Sequence, residues 1–196
     1  MSIVTLVSGG LDSTVMAHLV HSEGITQFPL FIDYGQLARD RELAGCRHAL
    51  ARMGLPAPKV VSVSGIGALL SSGLTDRSKH VVNDAFLPMR NSLFLTLAAG
   101  YAHQQSADTI GIGLLSEAYA LFPDQTRAFL FDMETLVCRA LGHSMRIVAP
   151  LMEFSKAEVV KLAKSQGVDG TYSCHVGGES PCGQCISCRE YHGLEV

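Results

Sequence analysis

The chain has no run of lysine or arginine. Its 15 Lys and Arg face 18 Asp and Glu, for a formal net charge of −3. A protein that grips duplex nucleic acid neutralises phosphates with a basic stripe, so the missing stripe weighs against such a partner. No apolar run approaches the roughly 20 residues of a membrane span. The N-terminus, Met1-Ser2-Ile3-Val4-Thr5-Leu6-Val7-Ser8, has neither a basic leader region nor a small-residue cleavage site. A soluble, cytoplasmic protein is expected, with a small-molecule substrate, no membrane and no nucleic acid. There is no internal repeat and no low-complexity linker. Apolar residues make up 47% of 196, enough for a buried core in one domain.

What is present alternates between strand and helix. Residues 3–7 are a short β-branched run, too short for a helix, and read as a buried strand. A Gly-Gly turn follows, then a helix over 12–22 with Val15, Met16, Leu19 and Val20 at helical spacing. Further strands are expected at 28–33, 59–63, 108–113 and 147–151. Further helices are expected at 37–53, 91–105, 125–142 and from Ser155 to Ser165. Ser155 with Glu158 makes a capping box. Residues 64–89 have no steady period and read as a long loop. The pattern predicts a doubly wound α/β domain, a parallel five-stranded sheet covered on both faces. Composition shifts once, near 171, where a cysteine-rich tail begins. We read 1–170 as the main domain and 171–196 as a small tail packed on it.

The strand–Ser8-Gly9-Gly10-Leu11-Asp12-Ser13–helix junction carries the main chemical signal. Glycines let the backbone turn sharply and approach a ligand. Their amides and those of the first helical turn make a nest for anions. Ser8 and Ser13 add hydroxyl donors. Asp12 repels phosphate, so its expected uses are capping the helix or holding Mg²⁺. The junction has neither the lysine of the Walker loop nor the dinucleotide fingerprint. An ordinary strand–turn–helix junction is the plain alternative.

Four of the six cysteines form a second signal. Cys174, Cys182, Cys185 and Cys188 read C-x7-C-x2-C-x2-C. Thiolates two residues apart reach one ion from a tight knuckle, and four of them close a tetrahedral shell. That is structural Zn²⁺ chemistry, with an iron–sulfur cluster as the competitor. His175 is adjacent but superfluous to a shell of four sulfurs. Cys46 and Cys138 fall inside helices and read as core filler.

Residue for residue, Ser8 to Ser13 resembles the S-G-G-x-D-S loop of the PP-loop ATP pyrophosphatases. With the cysteine knuckle, it resembles the 7-cyano-7-deazaguanine synthase (QueC) family among them. Phe31-Ile32-Asp33-Tyr34-Gly35-Gln36 resembles that family's F-D-Y-G-Q segment. Leu87-Pro88-Met89-Arg90-Asn91-Ser92-Leu93-Phe94-Leu95 resembles its V-P-G-R-N-x-x-F-L. Phe122-Pro123-Asp124-Gln125-Thr126-Arg127 resembles Y-P-D-C-R, and Pro150-Leu151 with Ser155-Lys156-Ala157-Glu158 resembles P-L…x-K-A-E. The similarity covers nearly the whole chain.

The resemblance implies an adenine-nucleotide α-hydrolase-like fold that splits ATP between its α and β phosphates. It implies that Ser8, Gly9, Gly10, Leu11, Asp12 and Ser13 bind ATP, with adenine beside the strand that ends at Asp33. It implies Asp12, Arg90 and Lys156 as catalytic groups and Asn91, Asp124 and Arg127 near the substrate. It implies structural zinc, Mg²⁺ with ATP, and a homodimer. The implied reaction adenylates 7-carboxy-7-deazaguanine, adds ammonia, and dehydrates the amide to the nitrile with a second ATP. Departures fall on the substrate side. The segment from Leu70 to Arg90 is shorter than the family's, Met89 replaces a glycine, and Gln125 replaces a cysteine. Glu153-Phe154 stands where an aromatic usually precedes the lysine motif, and the tail stops eight residues past Cys188. They leave open an enzyme that stops at the amide or passes the acyl group to another amine, including one on a protein. A tRNA thiolase and a non-catalytic nucleotide-binding scaffold are the remaining alternatives.

Overall fold

A strand that is apolar on both sides needs cover on both sides. The computed structural model, which describes residues 1–194, provides it. Five strands form one sheet: β1 (Ser2–Leu6), β2 (Thr26–Asp33), β3 (Lys59–Ser62), β4 (Thr109–Gly111) and β5 (Arg146–Val148). Their order is β3-β2-β1-β4-β5 and every pairing is parallel. The helices are α1 (Leu11–Ser22), α2 (Arg39–Arg52), α3 (Gly65–Leu69), α4 (Arg90–Gln104), α5 (Arg127–Leu141), α6 (Lys156–Ser165) and α7 (Ile186–Arg189).

Alternation along the strands divides the core in two. Val4, Leu6, Leu30, Ile32 and Ile110 meet Leu95, Ala98 and Ala102 of α4 and Leu130, Met133 and Val137 of α5. Val7 and Phe31 meet Ala17, Leu43, Cys46 and Leu50 on the other side, under α1 and α2. Beside them, α1 packs on α6 through Val15, Met16, Val159 and Val160. The doubly wound sheet expected from the alternation is therefore present.

The differences are local. The segment 64–89 contains α3, one short turn of helix, and a knot of turns around Ser72 and Asp76. The ladder of β5 stops at Val148, because Pro150 supplies no N–H and Met152 turns back to the Ala149 carbonyl. Leu151 still lies in the core, fully buried between α1 and α6.

Chain order reverses between β1 and β4, since α1 carries β1 to β2 on one side and β4 joins from the other. Doubly wound sheets bind ligands beyond the carboxyl ends of their strands at this switch point. The Ser8–Ser13 loop leaves β1 there. The cysteine tail returns to the same place, where the Tyr172 N–H donates to the Gly9 carbonyl at 2.8 Å.

Candidate nucleotide and metal sites

Gly9 shapes the loop. It takes φ +81°, and a Cβ there would lie 2.1 Å from the Glu42 carbonyl oxygen of α2. Gly113, just past β4, gives similar clearance, since a Cβ there would sit 3.0 Å from the Ser13 backbone. The hydroxyls are tied within the loop. Ser13 Oγ accepts from the Ser8 N–H at 3.1 Å and donates to the Gly10 carbonyl at 3.2 Å. Thr14 Oγ1 donates to the same carbonyl at 2.8 Å. Gly10 is the N-cap of α1, and no side chain caps the helix. The capping use expected of Asp12 is therefore corrected. Asp12 lies in the first turn, and its carboxylate turns to a lysine.

That lysine is Lys156, first residue of α6. Ser155 Oγ accepts from the Glu158 N–H and the Glu158 carboxylate accepts from the Ser155 N–H, so the predicted capping box is present. The box fixes where α6 starts and so where Lys156 emerges. Lys156 Nζ donates to both oxygens of Asp12 at 2.8 and 2.9 Å. It also lies 2.9 Å from Glu190 Oε2 and 4.8 Å from the centre of the Tyr191 ring. Burial alone would lower this ammonium, yet Asp12, Tyr191 and Glu190 hold it above the ordinary lysine range.

Beside the loop lies a cavity of about 280 Å³. Leu6, Val7, Leu30 and Ile32 make its apolar wall along the strand ends, and Ser8 to Ser13 with Lys156 its polar end. Arg90, at the start of α4, packs over the rings of Tyr34 (5.9 Å) and Phe94 (6.0 Å), a cation–π arrangement that holds the guanidinium in place. Gln36 stitches this wall together: its Oε1 accepts from the Tyr34 N–H, and its Nε2 donates to Glu42 at 3.0 Å. Burial pushes the Glu42 carboxyl up to about 7, against the pull of Gln36 and Arg90. His175 also lines the cavity. Burial, with Arg90 and Lys156 near, lowers its imidazole to about 4. A wider opening of about 950 Å³ adjoins, sharing Asp12, Lys156, Gln125 and Glu190 and edged by Tyr119 and Leu121.

The sulfurs of Cys174, Cys182, Cys185 and Cys188 all lie within 4.8 Å of one another, and those of Cys182 and Cys188 are 3.9 Å apart. Metal–sulfur bonds of about 2.3 Å put tetrahedral ligands about 3.8 Å apart, so the cluster fits one ion after small contraction. Burial opposes ionisation of Cys182, yet N–H bonds from Gln184 and Cys185 bring its thiol down to about 7.

The structure brings most of the predicted residues together. Ser8, Gly10, Leu11, Asp12, Ser13, Arg90, Asn91 and Lys156 all line the cavity, with Gly9 beneath. Asp33, Asp124 and Arg127 stand apart from its lining. Asp33 accepts from the Gly35 N–H and pairs with Arg39. Asp124 holds Asn91, whose Nδ2 donates to the Asp124 carbonyl at 2.9 Å. Arg127 pairs with Glu153. Gln125 folds its own turn, accepting from the N–H groups of Leu121 and Phe122. Met89 takes φ 64°, a conformation that glycine adopts without strain. Sequence reasoning passed over Glu42, Ser173, Glu190 and Tyr191. The nearness of the last three to the cysteine cluster was the only signal.

A model of the family of queuosine biosynthesis protein QueC matches residues 2–193. A 7-cyano-7-deazaguanine synthase from Coxiella burnetii (strain RSA 493 / Nine Mile phase I) is 37% identical over 203 residues, covering 95% of this chain and 89% of that protein. One from Oceanobacillus iheyensis is 33% identical over 198 residues, with 95% and 89% covered. Among solved structures, an NMN synthetase from Francisella tularensis matches with a TM-score of 0.55 at 17% identity, over 100% of this chain and 78% of that one. A 4-thiouridine synthetase in complex with RNA and bound ATP matches with a TM-score of 0.54 at 19% identity, over 85% and 41%. At such identities the last two are likenesses of fold alone.

Proposed function

Since the chain belongs to the QueC family, we propose that it is an ATP-dependent carbon–nitrogen ligase that makes 7-cyano-7-deazaguanine from 7-carboxy-7-deazaguanine and ammonia. The observation that carries this reading is Lys156, seated on Asp12 above the Ser8–Ser13 loop at the sheet's switch point. A strand-end loop that offers first-turn amides, hydroxyls and one buried cation suits a nucleoside triphosphate. The apolar strand ends Val7, Leu30 and Ile32 suit its base.

A carboxylate is inert toward ammonia. Its oxygen attacks the α-phosphorus of ATP, the α–β bridge breaks, and pyrophosphate leaves. Ammonia attacks the acyl adenylate, AMP departs, and the amide results. The amide oxygen attacks a second ATP in the same way. Loss of AMP and the amide protons then leaves the nitrile. None of these steps needs a covalent enzyme nucleophile, so the protein's part is position and charge. The loop amides and Lys156 meet the charge that develops at the α-phosphate and the leaving pyrophosphate. Arg90 faces the carboxylate or its adenylate, with Asn91 fixing the turn at Asp124. Asp12 is the residue that would hold Mg²⁺, which would supply charge neutralisation at the phosphates.

The four cysteines suit a structural ion, and zinc is the reading their tetrahedral spacing favours. Bound metal would supply no chemistry to the reaction; Cys174 and Cys188 hold the two ends of the tail against the loop. The division into an ATP domain over 1–170 and a metal tail over 171–196 follows from this.

The test is incubation with ATP, 7-carboxy-7-deazaguanine and ammonia. AMP, pyrophosphate and a product with the mass of the nitrile are expected. Absence of AMP under these conditions overturns the reading.

A further inference from the structure

Lys156 is held by more than the loop it serves. Its ammonium donates to both oxygens of Asp12 and forms an ion pair with Glu190 Oε2 at 2.9 Å. Its side chain is 11% exposed, so the ammonium is fixed between partners. Asp12 belongs to the loop. Glu190 does not: it follows the last cysteine ligand by two residues. Tyr191, whose ring lies under the ammonium, is one residue further. The Tyr191 hydroxyl meets Ser173 Oγ at 3.2 Å, and Ser173 Oγ accepts from the Leu11 N–H at 3.4 Å. Ser173 directly precedes the first cysteine ligand. Both ends of the cysteine cluster thus reach the loop, one at its backbone and one at its cation.

Asp12 alone would draw Lys156 onto the loop, with no partner on the tail side to fix its direction. A second carboxylate on the tail side holds the ammonium between the two, and keeps it anchored when an incoming triphosphate competes for it. We propose that Glu190 is a positioning residue: carried on the metal-bound tail, it holds Lys156 over the phosphate loop, so that an ordered tail sets the cation that meets ATP. This rests on the reading that Lys156 faces the phosphates. A carboxylate beside an anion site weakens ground-state binding of ATP by repulsion. Its presence here makes sense where it orients a group needed in the transition state.

This gives Glu190→Ala a particular signature. The turnover number kcat should fall about 10- to 100-fold, the range for losing an orienting partner. KM for ATP should stay the same or fall, because a repelling charge is gone. Glu190→Gln keeps an oxygen that accepts from Lys156 and should recover most of the lost turnover. A second readout is the rate at which an amine-reactive reagent labels Lys156, followed by peptide mass spectrometry. Labelling should be slow in the wild type, several-fold faster in Glu190→Ala and in chelator-stripped wild type, and little changed when Glu190→Ala is itself stripped. Glu190→Ala should keep its full metal content, showing that the tail is intact. The proposal is overturned if Glu190→Ala raises KM with kcat unchanged, if it labels at the wild-type rate, or if stripping accelerates labelling equally in both proteins. Labelling needs no turnover, so it reads this contact even if the wild type releases no AMP, a result that would strike the proposed reaction alone.

Discussion

Two glycines with the same backbone sign have different weights. Gly9 (φ +81°) and Gly24 (φ +68°) are both left-handed, but a Cβ at Gly24 meets nothing within 4 Å. Gly24→Ala should cost only the left-handed penalty, about 1 kcal/mol. Gly9→Ala adds a collision with the α2 backbone and should also abolish binding of an ATP analogue, read by titration calorimetry alongside a melting curve. Glu42 offers a pH test. Its folded value is raised from 4.5 to about 7 by burial. The folded state therefore binds this proton more tightly than the unfolded chain. The stability so contributed is full below about pH 4.5 and is lost as pH rises through about 7. Glu42→Gln, which keeps an oxygen for Gln36, should be the more stable protein at pH 8 by on the order of 2 kcal/mol, cavity solvent moderating the effect. At pH 4.5 the two should melt alike. Equal melting at both values would show that the carboxyl is solvated.

At the scale of elements, the start of α6 matters to chemistry because it sets where Lys156 emerges. Its capping box sits one residue before Lys156. Ser155→Ala removes one acceptor from the first turn and should cost about 1 kcal/mol, a fall in melting temperature of about 2–4 °C for a chain of this size. Turnover should fall further than that stability loss explains, since Lys156 loses its fixed exit. An unchanged kcat would separate the cap from the site. This box was legible in the sequence because capping is local: both partners lie within four residues. The first strand was legible for the same reason, since a short β-branched run from Ile3 to Val7 marks a strand buried on both faces. Local pattern failed where the structure is tertiary. Nothing near Asp12 says that its partner is 144 residues away, and a carboxylate in a first turn reads as a cap until that partner is placed. The helix α3, Gly65–Leu69, was illegible because five residues hold barely one helical turn. Asp124 and Arg127 matched a motif, and the motif said nothing of the direction in which they point.

At the scale of the molecule, sheet and tail are stabilised by different means. The first 170 residues bury two aliphatic layers against five strands. Among its described residues, the tail has one helix of four residues and a cluster made chiefly of its own cysteines. So small a core cannot offset the ordering entropy of more than twenty residues. A metal can: zinc binding supplies about 10–16 kcal/mol in small zinc-dependent domains. Removing the ion with a chelator should therefore release the tail and spare the sheet. Limited proteolysis should cut within 171–194 while the rest resists, and far-ultraviolet circular dichroism should change little. The Tyr172–Gly9 and Ser173–Leu11 bonds would go with the tail, so the phosphate loop should become more mobile and release a bound ATP analogue faster. Cys182→Ser should reproduce all three effects without chelator. Loss of the sheet in step with the metal would mean that the tail is part of the core, and that 1–170 is not a folding unit of its own.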